Sequence, residues 1–264
     1  MITTCMATVV VLTTNAVAEF NFNQTPEKLT AYYVSTIQPL DTLKLKLSNH
    51  GFEVLATTEI VSGESVITIT NAELKATNTY MATLQVLVNT INKEIRVQNP
   101  SYFGAAYLQD NYKYGQFKAT LTALEATLGT MNTVKEKTDF NDLSSFSFMF
   151  GMPKLQDTIS IAKGENLESK LSSPKIAYRL NLPNGTTLIG HVLRKKTNKF
   201  LKKIDQTQNA QLLPYEAMMQ NGEVTVLDPK YYLALSLPLL SMGEFMKIAT
   251  APDQIVKDIK RVYK

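Results

Sequence analysis

Gln220-Asn221-Gly222-Glu223-Val224-Thr225-Val226-Leu227-Asp228-Pro229-Lys230-Tyr231-Tyr232 has an earlier counterpart in Ile91-Asn92-Lys93-Glu94-Ile95-Arg96-Val97-Gln98-Asn99-Pro100-Ser101-Tyr102-Phe103. Each reads as a turn, Glu-aliphatic-x-Val, two further residues, then Asn/Asp-Pro-x-Tyr-aromatic. The register continues: Ala105 answers Ala234, Leu108 answers Leu237, and Gly115-Gln116-Phe117 answers Gly243-Glu244-Phe245 after a one-residue slip. The expectation is a tandem duplication of one small domain. In each copy Asn99 or Asp228 is placed to accept from the free N–H groups of a first helical turn. Pro100 or Pro229 then stands at the first helical position, where its missing N–H costs nothing.

The chain around this repeat has an ordinary globular composition. Its 264 residues exceed a single-domain size and suit two domains of about 100–130 residues. A hydrophobic fraction of 44% with 19% charged residues argues against disorder. The net charge of +4 is too mild to argue for nucleic acid, which calls for a concentrated basic face.

Ile2 to Thr14 is apolar and uncharged, and Ala16-Val17-Ala18 offers a small-residue cleavage site. Residues 1–18 are therefore read as a signal peptide cleaved after Ala18, with a periplasmic or secreted mature chain. The absence of Lys or Arg at its start departs from that pattern, and an uncleaved anchor is the alternative. The one cysteine, Cys5, falls in this segment. The mature chain then has no disulfide framework, thiolate metal site or cysteine nucleophile.

Residues 19–30 read as a polar tail. Strand patterns follow at Tyr32–Ile37, Phe52–Ile60, Ser65–Thr70, Met81–Val88 and Glu94–Gln98. A helix from Pro39 carries Leu40, Leu43 and Leu47 and stops at Gly51, and Asn71 caps a short one. Phe117, Leu121, Leu124, Leu128 and Met131 form a core stripe. In the second copy Leu167–Ser172 matches Leu43–Ser48. Strands read at Ile176–Leu182, Thr187–Leu193, Leu212–Met219 and Glu223–Leu227, with a basic helix near Thr197–Asp205 and short helices through Ala249 and from Pro252 to Tyr263. Asp139 to Pro153 changes composition and marks the boundary.

Leu212-Leu213-Pro214-Tyr215-Glu216, Asn221-Gly222-Glu223-Val224-Thr225-Val226 and Asp228-Pro229 fall in an order that resembles the bacterial and archaeal domain-of-unknown-function family 302. The first copy is similar at Ile67-Thr68-Ile69-Thr70-Asn71-Ala72. Tyr215 stands where many members carry Cys, and Ala72 where Pro is usual. The resemblance implies a two-layer α+β fold and no known reaction. The expected architecture is α+β: two homologous two-layer domains, residues 19–138 and 155–264 about a linker at 139–154, each a mainly antiparallel sheet covered by helices on one face.

Chemistry is sparse. The eleven glycines form no phosphate loop, and His50 and His191 are the only histidines. Both read as surface or packing residues rather than as bases or ligands. No nucleophile elbow and no recurring carboxylate pair is present. A Ser/Lys dyad has no fixed spacing and stays open, and an enzyme would need a cleft joining His191 to a perturbed carboxylate. Clustered methionines (Met149, Met152, Met218, Met219, Met242, Met246) could hold Cu(I) in a secreted chain, against the plainer reading as core filler. No cofactor or metal is expected.

The leading functional reading is a non-catalytic binding module for a small apolar or amphipathic ligand. Its candidate contacts are Tyr102, Phe103, Tyr231, Tyr232, Phe148 and Met149, although the tyrosine pairs also suit plain packing. The alternative is a structural or protein-interaction module. It would act on a protein partner, or peripherally on an anionic membrane surface, through Arg194, Lys195, Lys199 and Lys202 in the basic run 194–203.

Overall fold

Runs rich in Val, Ile and Thr form strands that are buried almost throughout at Glu64–Thr70, Leu84–Asn89, Glu94–Gln98 and Thr187–His191, burial alternates along Tyr215–Gln220, and three- and four-residue apolar spacings form the helices. In chain order, the computed structural model, which describes residues 20–264, runs β1 (Lys28–Thr30), β2 (Tyr32–Thr36), α1 (Leu40–Asn49), β3 (Glu53–Val61), β4 (Glu64–Thr70), α2 (Ala72–Lys75), β5 (Leu84–Asn89), β6 (Glu94–Gln98), α3 (Pro100–Leu108), α4 (Lys118–Leu128), β7 (Asn132–Thr133), β8 (Lys137–Asp139) and α5 (Phe140–Leu143). It continues through β9 (Thr158–Lys163), β10 (Ile176–Asn181), β11 (Thr187–His191), α6 (Lys195–Lys203), β12 (Tyr215–Gln220), β13 (Glu223–Leu227), α7 (Pro229–Ser236), α8 (Met242–Lys247) and α9 (Ala251–Lys260). The fold is mixed α and β with antiparallel sheets.

The first large sheet has the order β3-β4-β5-β6-β2-β7 and the second β10-β11-β12-β13-β9. Counted from β2 and from β9, the five shared strands stand in the same sequence: second, third, fourth, fifth, first. A two-stranded β1–β8 ribbon sits beside them. Leu43 and Leu47 of α1 are fully buried, each worth about 2 kcal/mol of apolar burial. Ile255 and Ile259 play the same part in α9, whose Lys257 and Lys260 fall near its C-terminus, where cations suit the helix dipole.

Both Asx-Pro caps form: Asn99 Oδ1 accepts from Ser101 N at 2.9 Å and Asp228 Oδ1 from Lys230 N at 2.8 Å. Asn99 also donates to Thr30 O at 2.7 Å, which ties α3 to the ribbon.

Each half lays one connection on the other half's sheet. The β4–β5 connection places Tyr80 and Ala82 over Leu180, Leu182, Leu188 and Met218, and Tyr80 donates to Thr225 O at 3.3 Å. In return the β11–β12 connection packs on the first sheet, where Asn198 of α6 donates to Ile60 O at 3.2 Å and the 3-10 turn Thr207–Leu212 lies across β5 and β6. The helices α3 and α7 are joined where Tyr102 donates to Leu235 O at 2.8 Å, and Tyr32 of β2 donates to Ser236 O at 2.7 Å.

Three local expectations differ from what forms, and one strand was not expected. Leu167–Ser172, matched to α1, is a 3-10 turn with Leu171 buried; Asn166 in the left-handed region and the glycine before Glu165 leave no regular helix start there. Residues 20–30 are not a tail, because Phe20 packs edge-on to Tyr33 at 5.5 Å and β1 pairs with β8. The strand β9 lacks a clean alternation and was not legible. The strand expected from Met81 begins with a 3-10 turn, Tyr80–Ala82. The expected signal peptide, residues 1–18, lies outside the described residues.

Candidate functional site

Two clefts occupy equivalent places in the two sheets. The first, about 330 Å³, lies between the β2–α1 connection and the two turns at that end of the sheet; Ile37, Gln38, Leu40, Ser65, Val88 and Thr90 line it. The second, about 490 Å³, is lined by Asn166, Leu167, Thr187, Met219, Gln220 and Asn221 among others. Register makes the correspondence explicit. Ser65 pairs with Val88 in the first sheet and Thr187 with Met219 in the second. The β3–β4 turn contributes Gly63 and the β10–β11 turn Gly185, both at positive φ. The first cleft is mainly apolar, with the Lys46 ammonium 2.8 Å from Gln38 Oε1 at its edge. The second is polar and wider, because a 3-10 turn stands where α1 stands in the first.

A different centre lies where the halves meet. Tyr178, Gly190 and Glu216 are direct neighbours across β10, β11 and β12. A Cβ on Gly190 would sit 2.1 Å from Tyr178 Cε1, so only glycine lets that ring cross the middle strand. The Tyr178 hydroxyl thereby reaches Glu216 and donates to Oε1, as does Thr83 Oγ1 from the other half. Gln85 Nε2 adds a third contact to the same oxygen at 3.3 Å. Glu216 Oε2 accepts nothing from the described residues. Glu216 borders a cavity of about 10 Å³ shared with Tyr80, Tyr107, Tyr215, Leu227 and Tyr232. Burial without a cationic partner pushes its carboxyl up to about 7, against the pull of the three donors.

The surrounding phenols are held neutral. Burial raises Tyr107, Tyr178, Tyr215 and Tyr232 well above the ordinary value, and the nearby Glu216 carboxylate adds to the effect. Tyr215 donates to Leu227 O at 2.8 Å and Tyr232 to Leu212 O at 2.9 Å. A second acid, Glu64, is fully buried at 1% exposure, accepts from Asn89 Nδ2 at 3.3 Å and is raised by burial to about 7.

The residues nominated from sequence fall in several places. Tyr102, Phe103, Tyr231 and Tyr232 are buried on α3 and α7. Tyr232 borders the interior cavity; Tyr102, Phe103, Tyr231, Phe148 and Met149 line neither it nor the clefts. Phe148 packs on Phe245 at 5.1 Å, Phe146 on Tyr231 at 6.0 Å, and Met149 is exposed. Arg194 pairs with the buried Asp258 at 2.6 Å, while Lys195, Lys199 and Lys202 project from the outer face of α6.

His191 lies on the opposite face of β11 from the Gly190–Glu216 row. Its Nε2 is 2.8 Å from Tyr263 OH, and burial lowers it to about 4. Sequence reasoning missed Glu216 and Glu64. The signal available for Glu216 was a mid-strand glycine, Gly190, between a tyrosine strand and an acid at an inward strand position.

No family model, curated protein or solved structure matches this chain. Among the described residues, no helix is long and apolar enough to cross a membrane, and no group of three or more His, Cys, Asp or Glu is placed to hold a metal ion.

Proposed function

We propose that the chain is a tandem duplication acting as a non-catalytic binding module, with an apolar or amphipathic ligand seated in the equivalent clefts at the turn ends of the two sheets. The recurrence of the cleft at matched register positions carries this reading: a shape kept in both copies, while the sequence lining it diverged, is what a shared binding role would leave. The common strand order and the paired Asx-Pro caps support the duplication itself. The resemblance of each half to domain-of-unknown-function family 302 and the periplasmic or secreted location belong to the same proposal. Apolar walls at Ile37, Leu40 and Val88 with Lys46 at the edge suit a chain carrying an anionic head.

The absence of tryptophan supplies the test. Thr90→Trp and Gln220→Trp each place a lone indole at one cleft. Titration with sodium laurate below its micellar range should give a saturable blue shift in at least the first variant. A linear, unsaturable response in both variants sinks the reading.

The alternative reading has its own observation. The outer face of α6 presents Lys195, Lys196, Lys199, Lys202 and Lys203, none of them in an ion pair among the described residues. Such a face suits an acidic partner or an anionic membrane surface. Lys195, Lys199 and Lys202 changed together to Glu should abolish recovery of a binding partner, with stability unaltered; unchanged recovery removes this reading.

A further inference from the structure

We propose that the interior cavity bounded by Glu216 and the tyrosines binds a water-sized monovalent cation of the ammonium class. The inference is independent of the clefts and rests on four observations. The first is charge. Among the described residues Glu216 forms no ion pair, and those that meet it are Thr83, Gln85 and Tyr178 at Oε1 with Tyr80, Tyr107, Tyr215 and Tyr232 around the cavity. No Lys, Arg or His is among them. A half-buried carboxylate in that setting gains from either a proton or an external cation.

The second observation is the free oxygen. Three donors converge on Oε1, leaving Oε2 without a hydrogen-bond partner among the described residues. Third, Tyr107, 9% exposed, makes no hydrogen bond with its hydroxyl among the described residues and borders the same space. Tyr80, Tyr215 and Tyr232 commit their protons to the carbonyls of Thr225, Leu227 and Leu212, so their oxygen lone pairs remain to receive a cation. Aromatic rings around a cation add attraction of their own. Fourth, size limits the guest: about 10 Å³ admits one water-sized species and excludes a methylated ammonium.

Binding and protonation compete for the same carboxylate. At pH 5 the proton holds Glu216 neutral and the site has little pull on a cation. At pH 8.5 the ionised carboxylate draws one in.

The experiment is thermal unfolding of the full chain at pH 8.5 in choline chloride, with ammonium chloride or tetramethylammonium chloride substituted at constant ionic strength. Ammonium should raise Tm by a few degrees with saturation, as ligand linkage requires, and tetramethylammonium should not. The ammonium effect should vanish at pH 5 and in Glu216→Gln. Tyr107→Phe, which keeps the ring and the packing, should weaken apparent affinity by roughly tenfold through loss of one hydroxyl ligand. Equal Tm in the two salts at pH 8.5 overturns the proposal and leaves a cavity that holds water alone; an ammonium effect that persists in Glu216→Gln overturns it too.

Discussion

Replacing Glu216 by Gln should remove the pH dependence that this residue imposes on folding. The unfolded carboxyl titrates at 4.5 and the folded one at about 7, so the folded state holds the extra proton between those values. The stabilising contribution is fully present below pH 4.5 and is lost as pH rises through 7. At about 1.4 kcal/mol for each pH unit, the loss reaches at most about 3 kcal/mol above pH 7. Gln keeps the carbonyl oxygen that accepts from Thr83, Tyr178 and Gln85, and carries no charge.

The comparison must be a difference between variants, because His191 and Glu64 titrate in both. Urea unfolding in ammonium-free buffer, followed by circular dichroism at pH 4, 5.5, 7 and 8.5, gives that difference. Relative to wild type, Glu216→Gln should gain about 3 kcal/mol between pH 4 and pH 8.5, or roughly 6–12 °C in Tm for a chain of this size. A flat difference across that range refutes the account of Glu216 as a half-buried carboxyl without a cationic partner.

Gly190→Ala should expel the Tyr178 ring from its place over β11, lowering stability by about 2–3 kcal/mol; the downfield Tyr178 hydroxyl proton expected in NMR spectra should disappear with it. His191 acts in the opposite sense to Glu216. Its folded value near 4 lies below the unfolded 6.5, so its contribution is present above pH 6.5 and is lost as pH falls to 4, by about 3 kcal/mol, and His191→Phe should flatten that acid limb in a urea titration. Asp258→Ala should lower stability by about 3–5 kcal/mol in the same assay. It strips one buried carboxylate from Arg194 N at 3.1 Å, Arg194 Nε at 2.6 Å and Thr197 Oγ1 at 2.5 Å, and so uncouples the start of α6 from α9.

Elements set by local chemistry were legible in the sequence. The caps at Asn71, Asn99 and Asp228, the stripe through Leu121 and Leu124, and the strand Ser65–Thr70 each follow from a few adjacent residues. What was not legible depends on pairing at a distance. The strand β9 is half-exposed at a sheet edge, and its place is set by β13 rather than by its own pattern. Lys28–Thr30 reads as a tail until Lys137–Asp139 supplies its partner. The Glu216 cluster is the extreme case, since Thr83 and Glu216 are 133 residues apart and meet only because the β4–β5 connection lies on the opposite sheet. Tyr102 and Tyr231, singled out by repetition, mark a structural junction: repetition in a duplicated chain records what every copy needs to fold as readily as what it binds.

The row that faces Glu216 permits a sharper test. In the first sheet Asn89 pairs with Glu94, and in the second Gln220 pairs with Glu223, so counting back along each strand sets Gln85 opposite Glu216 in the proposed duplication. Ala56, Thr68 and Gln85 then answer Tyr178, Gly190 and Glu216. A symmetric pair of single copies would carry the same residue twice at this meeting point. Two carboxylates 3.3 Å apart would not both ionise, and two amides would leave no titrating group. Fusing the copies allows one amide to donate to one carboxylate. Gln85→Glu should therefore recreate the frustrated pair: one carboxyl keeps its proton well above pH 7, the two titrate as a coupled unit, and stability at pH 8.5 falls by several kcal/mol more than at pH 4. Exchanging both residues, Gln85→Glu with Glu216→Gln, should restore most of the loss at pH 8.5, because a single carboxylate again faces a single amide. Recovery of less than a third, measured by urea unfolding, would mean that the donors Tyr178 and Thr83, and not the amide–carboxylate pairing, decide which side carries the acid.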